Sequence, residues 1–150
     1  MRKVLMLAVA SLLLCSCGPS AAVLYYWGGN ASKGVTRYED RFYDAYGKSQ
    51  SPESLCDMLC VYEDMLRNPG GERGVVPPGI CAEYGYLLLK PETAAAFAES
   101  ASKRERAIYE RSDYATYFPE YGLKLLQKEM ELYPESRKFI EPLLKKFAGK

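Results

Sequence analysis

Apolar side chains recur every three or four residues over most of the chain beyond residue 35, which is the spacing of amphipathic helices. The first helix is expected from about Thr36 to Tyr46. These apolar stripes predict an all-α protein of five or six antiparallel helices joined by short loops. The positions that carry the pattern are Val35, Tyr38, Phe42, Leu55, Leu59, Tyr62, Leu66, Ile80, Tyr84, Leu87, Leu88, Tyr121, Leu125, Met130, Phe139, Ile140, Leu143, Leu144 and Phe147.

Proline and glycine mark the predicted helix ends. Ser51-Pro52-Glu53 combines an N-cap residue, a proline at the first helical position and an acid in the first turn. Asn68-Pro69-Gly70-Gly71 ends that helix. Further starts are expected at Pro91 and Pro119. Pro142 lies inside the last apolar stripe, where a lost hydrogen bond should kink or split the helix.

A short extended segment is expected before the first helix. Val23 to Gly29 is a run of β-branched and aromatic residues that ends at two glycines, and Trp27 should pack on the domain. The composition from Gly28 to Gly34 is typical of a loop.

The first sixteen residues have the pattern of a secretory signal peptide. Arg2 and Lys3 precede an apolar run from Val4 to Leu14 that only Ser11 interrupts. This run is shorter than the roughly 20 residues that a membrane-spanning helix needs.

Residues 14–18, Leu-Cys-Ser-Cys-Gly, resemble the lipobox of bacterial lipoproteins. The small residue Ser16 precedes Cys17, whereas bulky Leu14 precedes Cys15, so Cys17 is the expected site of lipidation. The prediction divides the chain into a signal peptide (1–16), a lipidated tether (17–22) and a helical domain (23–150). An ordinary cleaved signal peptide with an incidental cysteine is the alternative.

Gly18 predicts the cellular location. By the sorting rule of enteric lipoproteins, Gly rather than Asp after the lipidated cysteine favours the outer membrane, here at its periplasmic face. The tether spans at most about 18 Å at 3.6 Å per residue, so the domain should lie against the membrane.

Composition excludes several classes of function. The 20 basic and 19 acidic side chains give no basic surplus, which argues against a nucleic-acid binder. The chain has no histidine, so Ser-His-Asp and Cys-His catalysis and imidazole zinc sites are excluded. No spacing marks a pair of carboxylates as general acid and base. We therefore expect no enzymatic activity and no cofactor.

Three cysteines remain in the mature chain: Cys56, Cys60 and Cys81. Without histidine they cannot complete a four-ligand metal site. In an oxidising periplasm, the candidate disulfide is Cys60–Cys81, because Cys60 lies nearer the level of Cys81 in an antiparallel helical hairpin; it would add about 3 kcal/mol. Three buried free thiols are the alternative, and an unpaired cysteine would permit a redox role.

The thirteen tyrosines raise the question of partner binding. Tyrosine suits both small helical cores and binding surfaces, because it joins an apolar ring to a polar edge. The candidates for partner contacts are Tyr109, Tyr114 and Tyr117.

Four motifs together resemble a known family. They are Leu24 to Gly28 after the lipobox, Val76-Pro77-Pro78-Gly79, Ala82 with Gly85-Tyr86, and Tyr133 to Ser136. In this order they resemble the domain-of-unknown-function 4810 family of small bacterial lipoproteins with tetratricopeptide-like helices. Members are commonly encoded beside a curli-assembly CsgG-type lipoprotein and a third small lipoprotein.

The resemblance implies tetratricopeptide-like helical hairpins that carry an insertion. The helix-A glycine and the closing proline of one such repeat lie roughly 24 residues apart. Here Gly85 and Pro134 are 49 positions apart, so about 25 residues near Lys90 to Tyr114 look inserted as an extra helix.

The resemblance also implies a role. It suggests a non-enzymatic, protein-binding accessory in envelope assembly or secretion, with a CsgG-like lipoprotein as partner. One alternative is a lipoprotein that binds peptidoglycan or a cell-wall synthase, and another is a thiol-redox lipoprotein.

Overall fold

The computed structural model describes residues 22–47 and 51–148 of the 150-residue chain. The predicted signal peptide, Cys17 and residues 18–21 lie outside the described residues. Within them the chain is all-α with one small hairpin, which confirms the predicted fold class. The elements are β1 Gly28–Asn30, β2 Val35–Arg37, α1 Tyr38–Gly47, α2 Pro52–Arg67, α3 Ile80–Leu88, α4 Pro91–Ser100, α5 Lys103–Tyr109, α6 Tyr114–Leu132 and α7 Arg137–Ala148.

The helices α3 and α6 form the most extensive helix pair in the described part of the chain. Gly79, just before α3, donates its N–H to Glu129 Oε1 near the end of α6, at 2.7 Å, whereas Gly85 faces Gly122 near the middle. The two helices are therefore antiparallel. A Cβ built on Gly85 would meet the backbone oxygen of Gly122 at 2.8 Å, so glycine permits this close approach.

Residues 90–114, which we call the insertion, contain α4 and α5 and end at the first residue of α6. The α4 helix packs on α2 and α6, and α5 packs on α2. Two helices that are neighbours in space are thus separated in sequence by this segment.

The insertion holds two helices where one was expected, which brings the number of α-helices in residues 22–47 and 51–148 to seven. Ser102 ends the continuous helix predicted from Pro91, because its hydroxyl accepts from the backbone N–H of Glu105 while the Glu105 carboxylate accepts from the N–H of Ser102. This reciprocal pair is a capping box and starts a new helix.

The helix bounds around two prolines, Pro119 and Pro142, differ from the sequence prediction. The helix expected to begin at Pro119 begins at Tyr114, because Asp113 acts as the N-cap and accepts from the N–H of Thr116. Pro119 lies one turn inside and is exposed. Pro142 lies within α7, which continues through it rather than splitting.

The extended segment before the hairpin docks on the loop after α2. Tyr26 donates its N–H to the carbonyl of Gly70, and the N–H groups of Glu72 and Arg73 bind the carbonyls of Val23 and Leu24. Trp27 packs on the core as predicted. The loop predicted from Gly28 to Gly34 is instead β1 and its turn, since Gly28 pairs with Arg37 and Asn30 with Val35.

Within residues 22–47 and 51–148, no helix combines the length and the apolar character that crossing a bilayer would need.

Candidate interaction surface

An aromatic cluster fixes the insertion to α6. The Phe97 ring of α4 lies 5.1 Å from Tyr109, 4.9 Å from Tyr114 and 5.4 Å from Phe118, measured between ring centroids. Edge-to-face contacts of this kind are favourable beyond the apolar area that they bury. The cluster buries Tyr109 and Tyr114, which are only 5% and 4% exposed.

The three tyrosines proposed as partner contacts therefore differ in their exposure. Burial removes Tyr109 and Tyr114 from the accessible surface, so the structure favours core packing for these two. Tyr117 is half-buried, stacks on Tyr121 with ring centroids 5.4 Å apart, and carries the guanidinium of Arg111 at 4.7 Å from its ring. Partner contact at Tyr117 stays a prediction.

A buried carboxylate links four helices beneath the cluster. Glu63 Oε2 of α2 accepts hydrogen bonds from the hydroxyls of Tyr84 on α3 and Tyr121 on α6, each at 3.1 Å. The Tyr84 hydroxyl lies 2.7 Å from that of Tyr109 on α5. Arg67 Nε donates to Glu63 Oε1 at 2.9 Å, so both carboxylate oxygens have partners.

Two arginines bind helix carbonyls of the insertion, Arg67 from α2 and Arg106 from within the insertion itself. Arg67 donates to the carbonyl of Ile108, close to the end of α5. Arg106 donates to the carbonyls of Ala101 and Ala98 at the end of α4. Cations at helix C-termini satisfy carbonyls that have no partner within the helix. These hydrogen bonds hold α5 against both α2 and the end of α4.

A charged groove of about 610 Å³ opens between α2 and α5. Arg41 Nη1 binds Asp64 Oδ2 at 3.1 Å, and both side chains are about 40% exposed (39% and 42%). Because three cations and three carboxylates line it, the groove can make hydrogen bonds and ion pairs with a polar partner. These side chains are Arg41, Asp57, Asp64, Arg67, Arg104 and Glu105.

A second groove, the alanine groove, lies between α4 and the start of α6 and has a volume of about 490 Å³. Its small side chains leave a shallow apolar surface that a helix or strand of another protein could approach closely. The small and proline residues that line it are Pro91, Ala94, Ala95, Ala98, Ala115 and Pro119. Both grooves are bordered by the insertion.

The three cysteines are buried as free thiols in this structure. Burial is the largest cause that raises the pKa of Cys56, Cys60 and Cys81, in each case to about 12. Thiol exchange needs the thiolate, which such a pKa disfavours at neutral pH. The Cys60–Cys81 disulfide stays a prediction.

Glu129 on α6 is a second buried carboxylate, only 2% exposed. Burial raises its pKa, while the backbone N–H groups of Gly79, Ala82 and Cys81 at the start of α3 act in the opposite direction. Placing an acid at a helix N-terminus is favourable. Glu129 therefore joins α6 to α3 at the end opposite the insertion.

The sequence analysis identified neither Glu63 nor Glu129 as buried, although the apolar spacing around Glu63 indicates its burial. Leu59, Tyr62, Glu63 and Leu66 follow the i, i+3, i+4, i+7 pattern, which places Glu63 on the inward face of α2. A charged residue at such a position indicates a buried polar network. Its partner Arg67 lies four residues along the same helix, but its tyrosine partners Tyr84 and Tyr121 come from two other helices and could not be identified from spacing.

Within the described part of the chain, no group of three or more Cys, Asp or Glu side chains is arranged to hold a metal ion. Comparison with known proteins gave no match: no protein-family model, curated protein or solved structure is significantly similar to the chain. The family resemblance described above stays a prediction.

Proposed function

We propose that this protein is a non-enzymatic lipoprotein, anchored in the outer membrane through Cys17, whose helical domain binds other envelope proteins. The proposed partner is a CsgG-like lipoprotein, and the process is envelope assembly or secretion. The observation that carries the proposal is the insertion, which borders both the charged groove and the alanine groove.

The way the insertion is held supports a docking role. Its helix ends are fixed by Arg67 and Arg106, and its aromatic side chains are packed in the core. A preformed surface loses little conformational entropy when a partner binds. Helical-repeat proteins commonly work by presenting such a surface while burying the other face.

The lipobox supports the membrane anchor. The several acyl chains of a lipoprotein exceed the two signals needed for stable attachment, so binding to the membrane would be effectively permanent. Replacing Cys17 by Ala should release the protein from the membrane fraction. The matched control is Cys15→Ala, which removes the neighbouring cysteine and should leave the protein in that fraction. Equal behaviour of the two variants would count against lipidation at Cys17.

Affinity capture tests the proposed partner. The intact lipidated protein is purified from detergent-solubilised envelopes, and we expect a CsgG-like lipoprotein in near-equal amount. Recovery of the protein alone would contradict the partner proposal. The peptidoglycan alternative would then be tested by co-sedimentation of the protein with isolated cell wall.

A further inference from the structure

The outward face of α7 carries a strip of basic and apolar side chains. At 100° per residue, Lys138, Phe139, Pro142, Lys145 and Lys146 lie together on the side away from the core, and all five are exposed. The only acidic residue of α7, Glu141, lies at the edge of this face rather than within it. We call these five residues the lysine strip.

The opposite face of α7 packs against the core. Ile140 is only 4% exposed, and Leu143, Leu144 and Phe147 pack in the same cluster. This packing fixes the rotation of α7 about its own axis, so the lysine strip faces outward. Phe139 is 67% exposed, with the Lys138 ammonium 4.8 Å from its ring centroid.

The N-terminal segment approaches the same end of the molecule. The ring of Tyr25 lies 6.5 Å from that of Tyr133, which precedes α7 by one short turn, Pro134–Ser136. Cys17 lies eight positions before Tyr25, a reach of at most about 29 Å at 3.6 Å per residue. A lipid on Cys17 would thus be tethered within that distance of the contact between Tyr25 and Tyr133, just before α7.

We propose that the lysine strip lies on the surface of an anionic phospholipid bilayer and sets the orientation of the domain there. Lysines attract anionic headgroups, and an exposed phenylalanine among them can enter the interface. The inference rests on the proposed lipid anchor. It predicts that α7 faces the bilayer, so that the orientation of every other surface follows from the position of α7.

Fluorescence quenching in lipid vesicles tests this orientation. The lipidated protein carries a fluorophore on Pro142→Cys, within the strip, or on Ala107→Cys, an exposed control position on α5. Vesicles contain phosphatidylglycerol, or phosphatidylcholine alone, with a headgroup-labelled quencher in each. We expect several-fold stronger quenching at position 142 than at position 107 in phosphatidylglycerol vesicles, and a smaller difference in phosphatidylcholine or high salt.

A charge variant provides the second measurement. Replacing Lys138, Lys145 and Lys146 by Gln should abolish the excess quenching at position 142 while the acyl chains keep the protein on the vesicles. Each lysine near an anionic surface strengthens binding to it about fivefold, so the three substitutions together should weaken binding of the strip to the bilayer on the order of 100-fold.

The possible failures are distinguishable. Equal quenching at positions 142 and 107 on vesicle-bound protein would overturn the inference and leave the anchor intact. Excess quenching that survives the triple substitution would overturn the electrostatic basis of the inference. Release of the lipidated wild-type protein from vesicles would contradict the anchor, and the inference with it.

Discussion

At the scale of single residues, the close approach of α3 and α6 requires the glycine pair between them. Gly85 and Gly122 each lie where a Cβ would meet the backbone oxygen of the other within 3 Å. Backbone atoms in two packed helices cannot move aside as the end of a flexible side chain can. The central helix pair thus depends on the absence of two side chains.

Replacing Gly85 by Ala should lower the free energy of unfolding by about 1–3 kcal/mol, because overpacking outweighs the gain in helix propensity. Urea unfolding followed by circular dichroism measures the change. The control is Gly47→Ala at the end of α1, where a Cβ meets nothing within 4 Å. A Gly85 variant as stable as the control would contradict the close approach.

Glu63 is the second residue on which the fold depends. Changing it to Gln removes the charge and leaves fewer acceptors for Tyr84, Tyr121 and Arg67, which should cost about 1–3 kcal/mol of unfolding free energy. Glu99→Gln, on the exposed side of α4, is the matched control in the same denaturation experiment. Equal stability of the two variants would show that the network contributes nothing.

At the scale of elements, the insertion shows what sequence could and could not predict. The family resemblance predicts it from the long interval between Gly85 and Pro134. Its division into α4 and α5 is encoded in the Ser102-to-Glu105 spacing of a capping box, whereas the sequence analysis predicted a single helix start at Pro91. The start of α6 was misplaced because Pro119 looked like a first-turn proline, whereas Asp113 provides the cap.

Removing the capping box should loosen α5 without unfolding the protein. Ser102→Ala should cost about 1 kcal/mol and speed amide hydrogen exchange in residues 103–109. Ser112→Ala, just before the N-cap of α6, should leave exchange in α5 unchanged. If exchange in α5 does not change in the Ser102 variant, the insertion is held by its tertiary contacts alone.

At the scale of the whole molecule, the described chain has an interior rich in groups that lose a proton only at high pH. Burial raises the pKa of the three thiols to about 12 and raises that of Tyr84 and Tyr109 well above the ordinary value of tyrosine. In the unfolded chain these groups ionise at their lower, ordinary pKa values. Above those values the unfolded state therefore binds fewer protons than the folded state.

These groups should consequently leave the free energy of unfolding unchanged below about pH 8. Above that, the free energy of unfolding should fall steadily as the pH rises towards 12. Urea midpoints measured at pH 8, 10 and 11 check this, with the same ionic strength throughout. A midpoint that does not fall between pH 8 and pH 11 would contradict the burial of these hydroxyls and thiols.

Docking of a partner at the alanine groove, which the insertion borders, is the central claim at this scale, and site-specific photo-crosslinking tests it most directly. A photoreactive amino acid replaces Ala95, which is exposed and lines the alanine groove, or Ala107, which is exposed on α5 and lines neither groove. Crosslinking is performed on the lipidated protein in intact cells. We expect a light-dependent adduct with a CsgG-like lipoprotein at position 95 and none at position 107. The absence of that adduct at position 95, or its equal formation at both positions, would contradict docking at the alanine groove, because position 107 lies on the insertion but outside that groove.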